Sequence, residues 1–150
     1  MLLLLELPIK GVYSMRKITV DYLAGIIDGE GCIKIHKYKK SNSYALVIII
    51  EITNSEELMN DIQNNFDGTL SKPRKIKSGK TVYGIWWGGD KVKILLSKIF
   101  PYLRLKKQQA EIALGFPTFG QGANIKNTPI EKEYKELQEL SYIIMKELNK

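Results

Sequence analysis

The chain carries one cysteine, Cys32, and one histidine, His36, among its 150 residues. A lone cysteine closes no intrachain disulfide and builds no cysteine-rich zinc site, and it suits a reducing compartment. The expected location is therefore intracellular, in a prokaryotic cytoplasm or an organelle matrix. With no second His or Cys in range, His36 reads as a base or phosphate contact rather than a metal ligand. Long apolar runs are also missing. Met1 to Leu5 begins like a signal peptide, but Glu6 and Pro8 interrupt it short of the roughly 7 to 15 apolar residues such a segment needs, so no membrane partner is expected. Acidic residues are the other shortage: 16 Asp and Glu stand against 23 Lys and Arg, a formal net charge of +7. That excess favours polyanions through counterion release and electrostatic steering, with nucleic acid the first candidate.

What is present, 44% hydrophobic residues, supports one compact core. One domain is expected over residues 18–150, with 1–17 an N-terminal extension and Met15 an alternative start. Ile18, Tyr22, Leu23, Ile26 and Ile27 recur at spacings of three and four, which predicts a helix from Ile18 to Asp28, capped by Thr19 and stopped by Gly29 and Gly31. From Cys32 to Lys40 apolar and basic residues alternate as in a strand, and Ser41-Asn42-Ser43 reads as a turn. Tyr44 to Thr53 then places Leu46, Ile48, Ile50 and Ile52 on one face and Ala45, Val47, Ile49, Glu51 and Thr53 on the other, completing a hairpin.

A second helix follows Asn54-Ser55-Glu56-Glu57, with Leu58, Met59, Ile62 and Phe66 as its buried stripe and Asp67-Gly68 as its end. Thr69 to Lys77 and Lys80 to Trp87 read as a second hairpin around Ser78-Gly79. Three helices complete the chain: Asp90 to Phe100, Leu105 to Phe116, and Glu131 to Leu148, the last carrying Leu137, Leu140, Ile144 and Leu148. This order predicts an α+β fold, αββαββα, with an antiparallel, saddle-like sheet and its helices on one face. The free face would carry the basic and polar residues of two hairpins, a shape suited to a major groove, which admits a two-stranded ribbon.

At the junction of the first helix and first strand stands Leu23-Ala24-Gly25-Ile26-Ile27-Asp28-Gly29-Glu30-Gly31. It resembles the nine-residue signature of the LAGLIDADG homing endonucleases, with Ile26, Gly29 and Glu30 in place of Leu, Ala and Asp. Each change is mild: the first stays apolar, the second small, and the third keeps a carboxylate that binds hard divalent ions. The resemblance implies a metal-dependent enzyme that hydrolyses both strands of a long, pseudo-palindromic double-stranded DNA site. It covers about Ile18 to Leu114. One copy of the motif is present, and in this family single-motif chains act as homodimers. The implied interface is Leu23, Ala24, Gly25, Asp28 and Gly29, where small residues four apart let two helices approach closely. The paired Glu30 carboxylates would then repel unless cations sat between them, so Glu30 and the Gly29 carbonyl are the expected ligands of Mg²⁺, with Ca²⁺ or Mn²⁺ able to substitute in binding.

The same resemblance marks supporting positions. Asn54 falls where family members carry a polar residue near the metal and would orient water. Lys106, in Leu103-Arg104-Leu105-Lys106-Lys107-Gln108-Gln109-Ala110, matches the active-site lysine and would stabilise charge on the phosphate, with Lys107 the fallback. Strand alternation makes Lys34, His36, Tyr38 and Lys40 the best groove readers, beside Glu51, Thr53 and the apolar Val47 and Ile49, which suit thymine methyls. Lys72, Arg74, Lys75, Lys77, Lys80, Tyr83 and Trp87 extend that surface. Of the adjacent Trp86 and Trp87, one should be core and the other exposed. Two rival readings use the same fold: an intron maturase that binds RNA, and a non-catalytic DNA-binding regulator.

Overall fold

The computed structural model describes residues 16–118 and 126–150. Helix α1 spans Val20–Glu30, strands β1 and β2 span Gly31–Tyr38 and Ser43–Thr53, and α2 spans Glu56–Phe66. Short strands β3 (Thr69–Leu70) and β4 (Arg74–Lys75) precede β5 (Thr81–Gly88). Helices α3 (Asp90–Ile99), α4 (Lys107–Leu114) and α5 (Pro129–Leu148) follow, with a 3-10 turn at Phe100–Tyr102. The five strands form one antiparallel sheet in the order β1-β2-β5-β3, with β4 also paired to β5. This is the α+β architecture expected. None of the helices among the described residues is long and apolar enough to cross a membrane.

The core lies between the sheet and the helices. Ile33 and Ile35 from β1, Leu46, Ile48 and Ile50 from β2, and Ile85 and Trp87 from β5 point into it. Leu23, Ala24 and Ile27 of α1, Met59 and Ile62 of α2, and Val92, Leu95, Leu96 and Ile99 of α3 cover them. The alternation written into β2 is thus realised residue by residue. At roughly 1.5 to 3 kcal/mol for each fully buried aliphatic side chain, this two-layer contact is what fixes the sheet's free face.

Helix α1 starts where Thr19 accepts the Tyr22 N–H at 3.4 Å. Asp21 in its first turn is held below the ordinary carboxylate range, first by the Thr19 side chain and then by backbone N–H groups. The helix does not stop at Gly29. It runs through Gly29 to Glu30, and the N–H of Gly31 closes its last bond onto the Ile27 carbonyl. Gly31 alone is the required glycine of the stop, because a Cβ there would lie 2.8 Å from Ile27 Cα.

Three further expectations change. The first arm of the second hairpin is split, because Pro73 lacks an N–H for the ladder, leaving β3 and β4 as two-residue pairings on β5. Helix α4 is shorter than Leu105 to Phe116, since residues 104–106 are held by Asp28 instead of by helical bonds. On α5 the expected stripe faces the wrong way: Leu137 and Leu140 are each 54% exposed, while Gln138 and Met145 are buried. Polar anchors set that face. Gln138 donates to the Pro117 carbonyl, and Glu139 accepts from Tyr44 and from Lys37 at 2.8 Å.

Candidate active site and nucleic-acid interface

The last turn of α1 carries two carboxylates with different surroundings. Asp28 is half-buried and turns back onto its own chain, where it accepts the N–H of Arg104 at 2.8 Å and those of Leu105 and Lys106 at 3.1 Å each. These are the donors that precede and open α4, so Asp28 caps that helix from a distant element. Lys106 answers it, its Nζ donating to the Asp28 carbonyl at 2.5 Å. The expected catalytic lysine is therefore tied to the helix end that carries Glu30. Lys107, one residue on, lies 5.6 Å over the Phe100 ring and is directed elsewhere. Glu30 itself is exposed and forms no hydrogen bond or ion pair among the described residues.

Asn54 has a different neighbourhood. It adopts the left-handed conformation (φ 53°), its N–H bonds to the Thr81 carbonyl, and it lines a groove with Thr19, Tyr22, Thr53 and Glu57. Tyr22 lies in the first turn of α1, about 12 Å along the axis from Glu30.

The expected helix–helix interface needs revision. Leu23 and Ala24 are fully buried in the core of the single chain, and Asp28 is spent on residues 104–106, so none of these is available to a partner. The exposed side of α1 instead presents Tyr22, Gly25 and Gly29, spaced three and four apart. Nothing lies within 4 Å of a Cβ built at either glycine, so a second helix has open access to the backbone there.

On the sheet's outward face, Lys34, His36 and Tyr38 are exposed, and the His36 and Tyr38 rings meet edge to face at 4.5 Å; Lys40, expected on the same strand, is exposed in the turn beyond it. Val47 and Ile49 are half-buried there, and Glu51 and Thr53 are exposed. Arg74 donates to Glu51 at 2.6 Å, which fixes the guanidinium over the sheet. Lys72, Lys75, Lys77 and Lys80 are exposed around the second hairpin.

Two expected surface residues do not belong to this face. Trp87 is 1% exposed and its indole N–H bonds to the Phe66 carbonyl at 2.8 Å, so it is core. Tyr83 shares the strand phase of Ile85 and Trp87 and packs partly against the same core. A one-residue phase error moves every side chain of a strand to the other face. Trp86 therefore faces outward, in the strand phase it shares with Gly84 and the nearly buried Val82, and the sequence reading missed it as a surface residue. Among the described residues no three His, Cys, Asp or Glu side chains converge to hold a metal ion. The oxygen donors at the end of α1, the Glu30 carboxylate and the Gly29 carbonyl, are nonetheless of the hard kind that Mg²⁺ or Ca²⁺ takes, and they sit at the negative end of the helix dipole.

Comparison with known proteins agrees with this arrangement. Among solved structures, the homing endonuclease I-CvuI in complex with its Sro1.3 target in the presence of 2 mM Ca superposes with a TM-score of 0.64 at 24% identity, over 86% of this chain and 80% of that one. I-CvuI with the I-CreI target C1221 in 2 mM Mg, described as revealing DNA not cleaved, gives 0.61 at 22% identity over 83% and 80%. The meganuclease I-AabMI bound to uncleaved DNA gives 0.56 at 22% identity, over 81% of this chain and 44% of that one. Identities this low establish likeness of fold. A search of the curated proteins finds no match. The sequence profile of the family described as LAGLIDADG endonuclease matches residues 23–113, well over half the chain. With the signature at the α1–β1 junction and the sheet and helices in the family's arrangement, the chain belongs to the LAGLIDADG endonuclease family.

Proposed function

We propose that the protein is a site-specific double-stranded DNA endonuclease that acts as a homodimer, hydrolysing both strands of a long, roughly palindromic site with divalent metal, Mg²⁺ foremost. One observation carries the reading: Glu30, exposed and unpaired, ends a helix whose open glycine face invites a second copy, and Lys106 is tied to that same helix end. The solved relatives, described as homing endonucleases bound to DNA targets with Ca or Mg present, support it.

In such a dimer two α1 helices meet along Tyr22, Gly25 and Gly29 in a C₂ interface. The two Glu30 carboxylates would then converge and, with the Gly29 carbonyls, would be the residues that hold divalent cations, because a cation between them offsets the repulsion of paired carboxylates. A divalent ion held there would supply Lewis-acid polarisation of the phosphate and a lowered pKa for an attacking water. Lys106 uses one of its three N–H donors on the Asp28 carbonyl, leaving two for phosphate oxygens where negative charge develops. Asn54 is the candidate for orienting water from the groove beside it. The cationic sheet face holds the duplex, with the lysines around the second hairpin on phosphates and the β1 residues at base edges.

The test is to incubate the purified protein with a randomised duplex library in Mg²⁺ and sequence the ends produced. Cut species from the wild type, with the Glu30→Gln protein still retaining the same duplexes uncut, are expected. A library left intact at every salt concentration would remove the endonuclease reading.

A further inference from the structure

The outward sheet face does not have uniform chemistry. Register places Cys32, Ile49 and Trp86 directly across three neighbouring strands, and Lys34, Val47 and Gly88 in the next outward row. Trp86 is 39% exposed, a large cost in apolar area for a residue that takes no part in the core. Its ring leans over Gly88: a Cβ on that glycine would lie 3.2 Å from Trp86 Cζ3. The indole therefore lies along the strand toward the Val47 row, where Gly88 leaves the space for it. The result is an apolar strip of Val47, Ile49 and Trp86 across a face whose exposed neighbours include Lys34, His36, Glu51 and Thr53.

The rim identifies what covers the strip. Lys34 stands exposed in the Val47 row, and Arg74, exposed across from Val82 in the same outward phase, is held at 2.6 Å by the Glu51 carboxylate one row from Ile49. A cationic rim selects a polyanion, and an apolar centre needs an apolar group at the bottom of the groove it enters. In the major groove of DNA that group is the C5-methyl of thymine. RNA lacks this methyl, and its A-form major groove is too narrow for side chains to read.

Resting on the proposed DNA-binding function, we infer that Val47, Ile49 and Trp86 are specificity-determining residues that read thymine methyl groups, so that each half of the bound site carries thymine opposite this strip. The strip thereby favours DNA over RNA at the same surface.

Two randomised duplex libraries, one made with thymine and one with deoxyuridine in its place, separate the methyl from every other feature of the base pair. The full-length protein is offered each in Ca²⁺, and retained duplexes are sequenced and their affinities measured. Thymine should be enriched at fixed positions in both half-sites, and the selected duplex should bind roughly fourfold more weakly for each contacted methyl lost, the effect of one buried methyl-sized group. The Val47→Ser/Ile49→Ser/Trp86→Ser triple variant, which removes all three apolar groups from the strip, should bind the thymine and uracil duplexes alike, and the Val47→Ser/Ile49→Ser variant should keep only the part of the discrimination that Trp86 supplies. Specific binding with equal affinity for both forms of the selected site would overturn the inference and leave the endonuclease reading standing. Retention of no duplex from either library would overturn both. Should these variants fail to fold, the wild-type comparison decides alone.

Discussion

The two sides of the last turn of α1 handle negative charge in opposite ways. On the inner side, Asp28 is half-buried and satisfied by three backbone N–H groups of residues 104–106. On the outer side, two residues later, Glu30 is exposed and its side chain has no partner among the described residues. Charge-assisted hydrogen bonds to backbone donors are strong and local, so Asp28 stabilises the fold. An unpaired carboxylate contributes little to stability and stays available for a cation and a phosphate. The motif thus divides one pair of acids between structure and chemistry, and the division can be attacked from either side.

The largest effect should come from Glu30→Gln. Cleavage of the selected duplex in Mg²⁺ should fall on the order of a thousandfold or more, comparable to losing a principal electrostatic group of an active site, while thermal stability moves by less than about 0.5 kcal/mol, as for a solvated surface position. Equal loss of stability and cutting would mean that the outer acid is structural after all. Asp28→Ala should show the reverse. Leaving three N–H groups at the start of α4 without their acceptor should cost roughly 2 to 3 kcal/mol in denaturant unfolding, and Asp28→Asn, which retains an oxygen, should cost less. A stability unchanged within error would break the comparison at its inner side.

Lys106→Met comes next. It should slow cutting about a hundredfold, the lower range for removing one charge-stabilising donor, and should leave site affinity within a few-fold in Ca²⁺. A fall in affinity equal to the fall in rate would assign Lys106 to ground-state phosphate binding. The smallest effect lies at the other end of the helix. Thr19→Ala removes the cap on Tyr22 N–H and should cost about 1 kcal/mol of stability with cleavage of folded protein unchanged, a control that the effects at Asp28 and Glu30 belong to the C-terminal turn.

How much of this was legible in the residues depended on whether a pattern had one solution. The first hairpin was readable because β2 alternates without ambiguity between Leu46, Ile48, Ile50 and Val47, Ile49, Glu51. In β5 both phases offer aromatic residues, and what decides is the Trp87 indole bond to the Phe66 carbonyl, a long-range partner invisible in the strand itself. Periodicity located an apolar stripe on α5 but not what α5 packs against; Gln138 and Glu139 found polar partners on other elements and turned the helix around. The position of Glu30 followed from the motif. The inward role of Asp28 did not, because its donors lie more than 70 residues away. Leu23 and Ala24 were assigned to an interface by motif membership, whereas the helix geometry gives them to the core.

Strand β1 lies at the edge of the sheet, where unpaired backbone groups would template a further strand from another molecule. Here the end of α5 closes over it. Asn149, just past the helix, donates its amide to the Ile33 carbonyl at 2.9 Å, and Lys37 on the same strand is pinned to Glu139. The C-terminal helix therefore serves as an edge guard: by occupying the Ile33 carbonyl and pinning Lys37 it blocks the β1 border as a route to strand-by-strand aggregation.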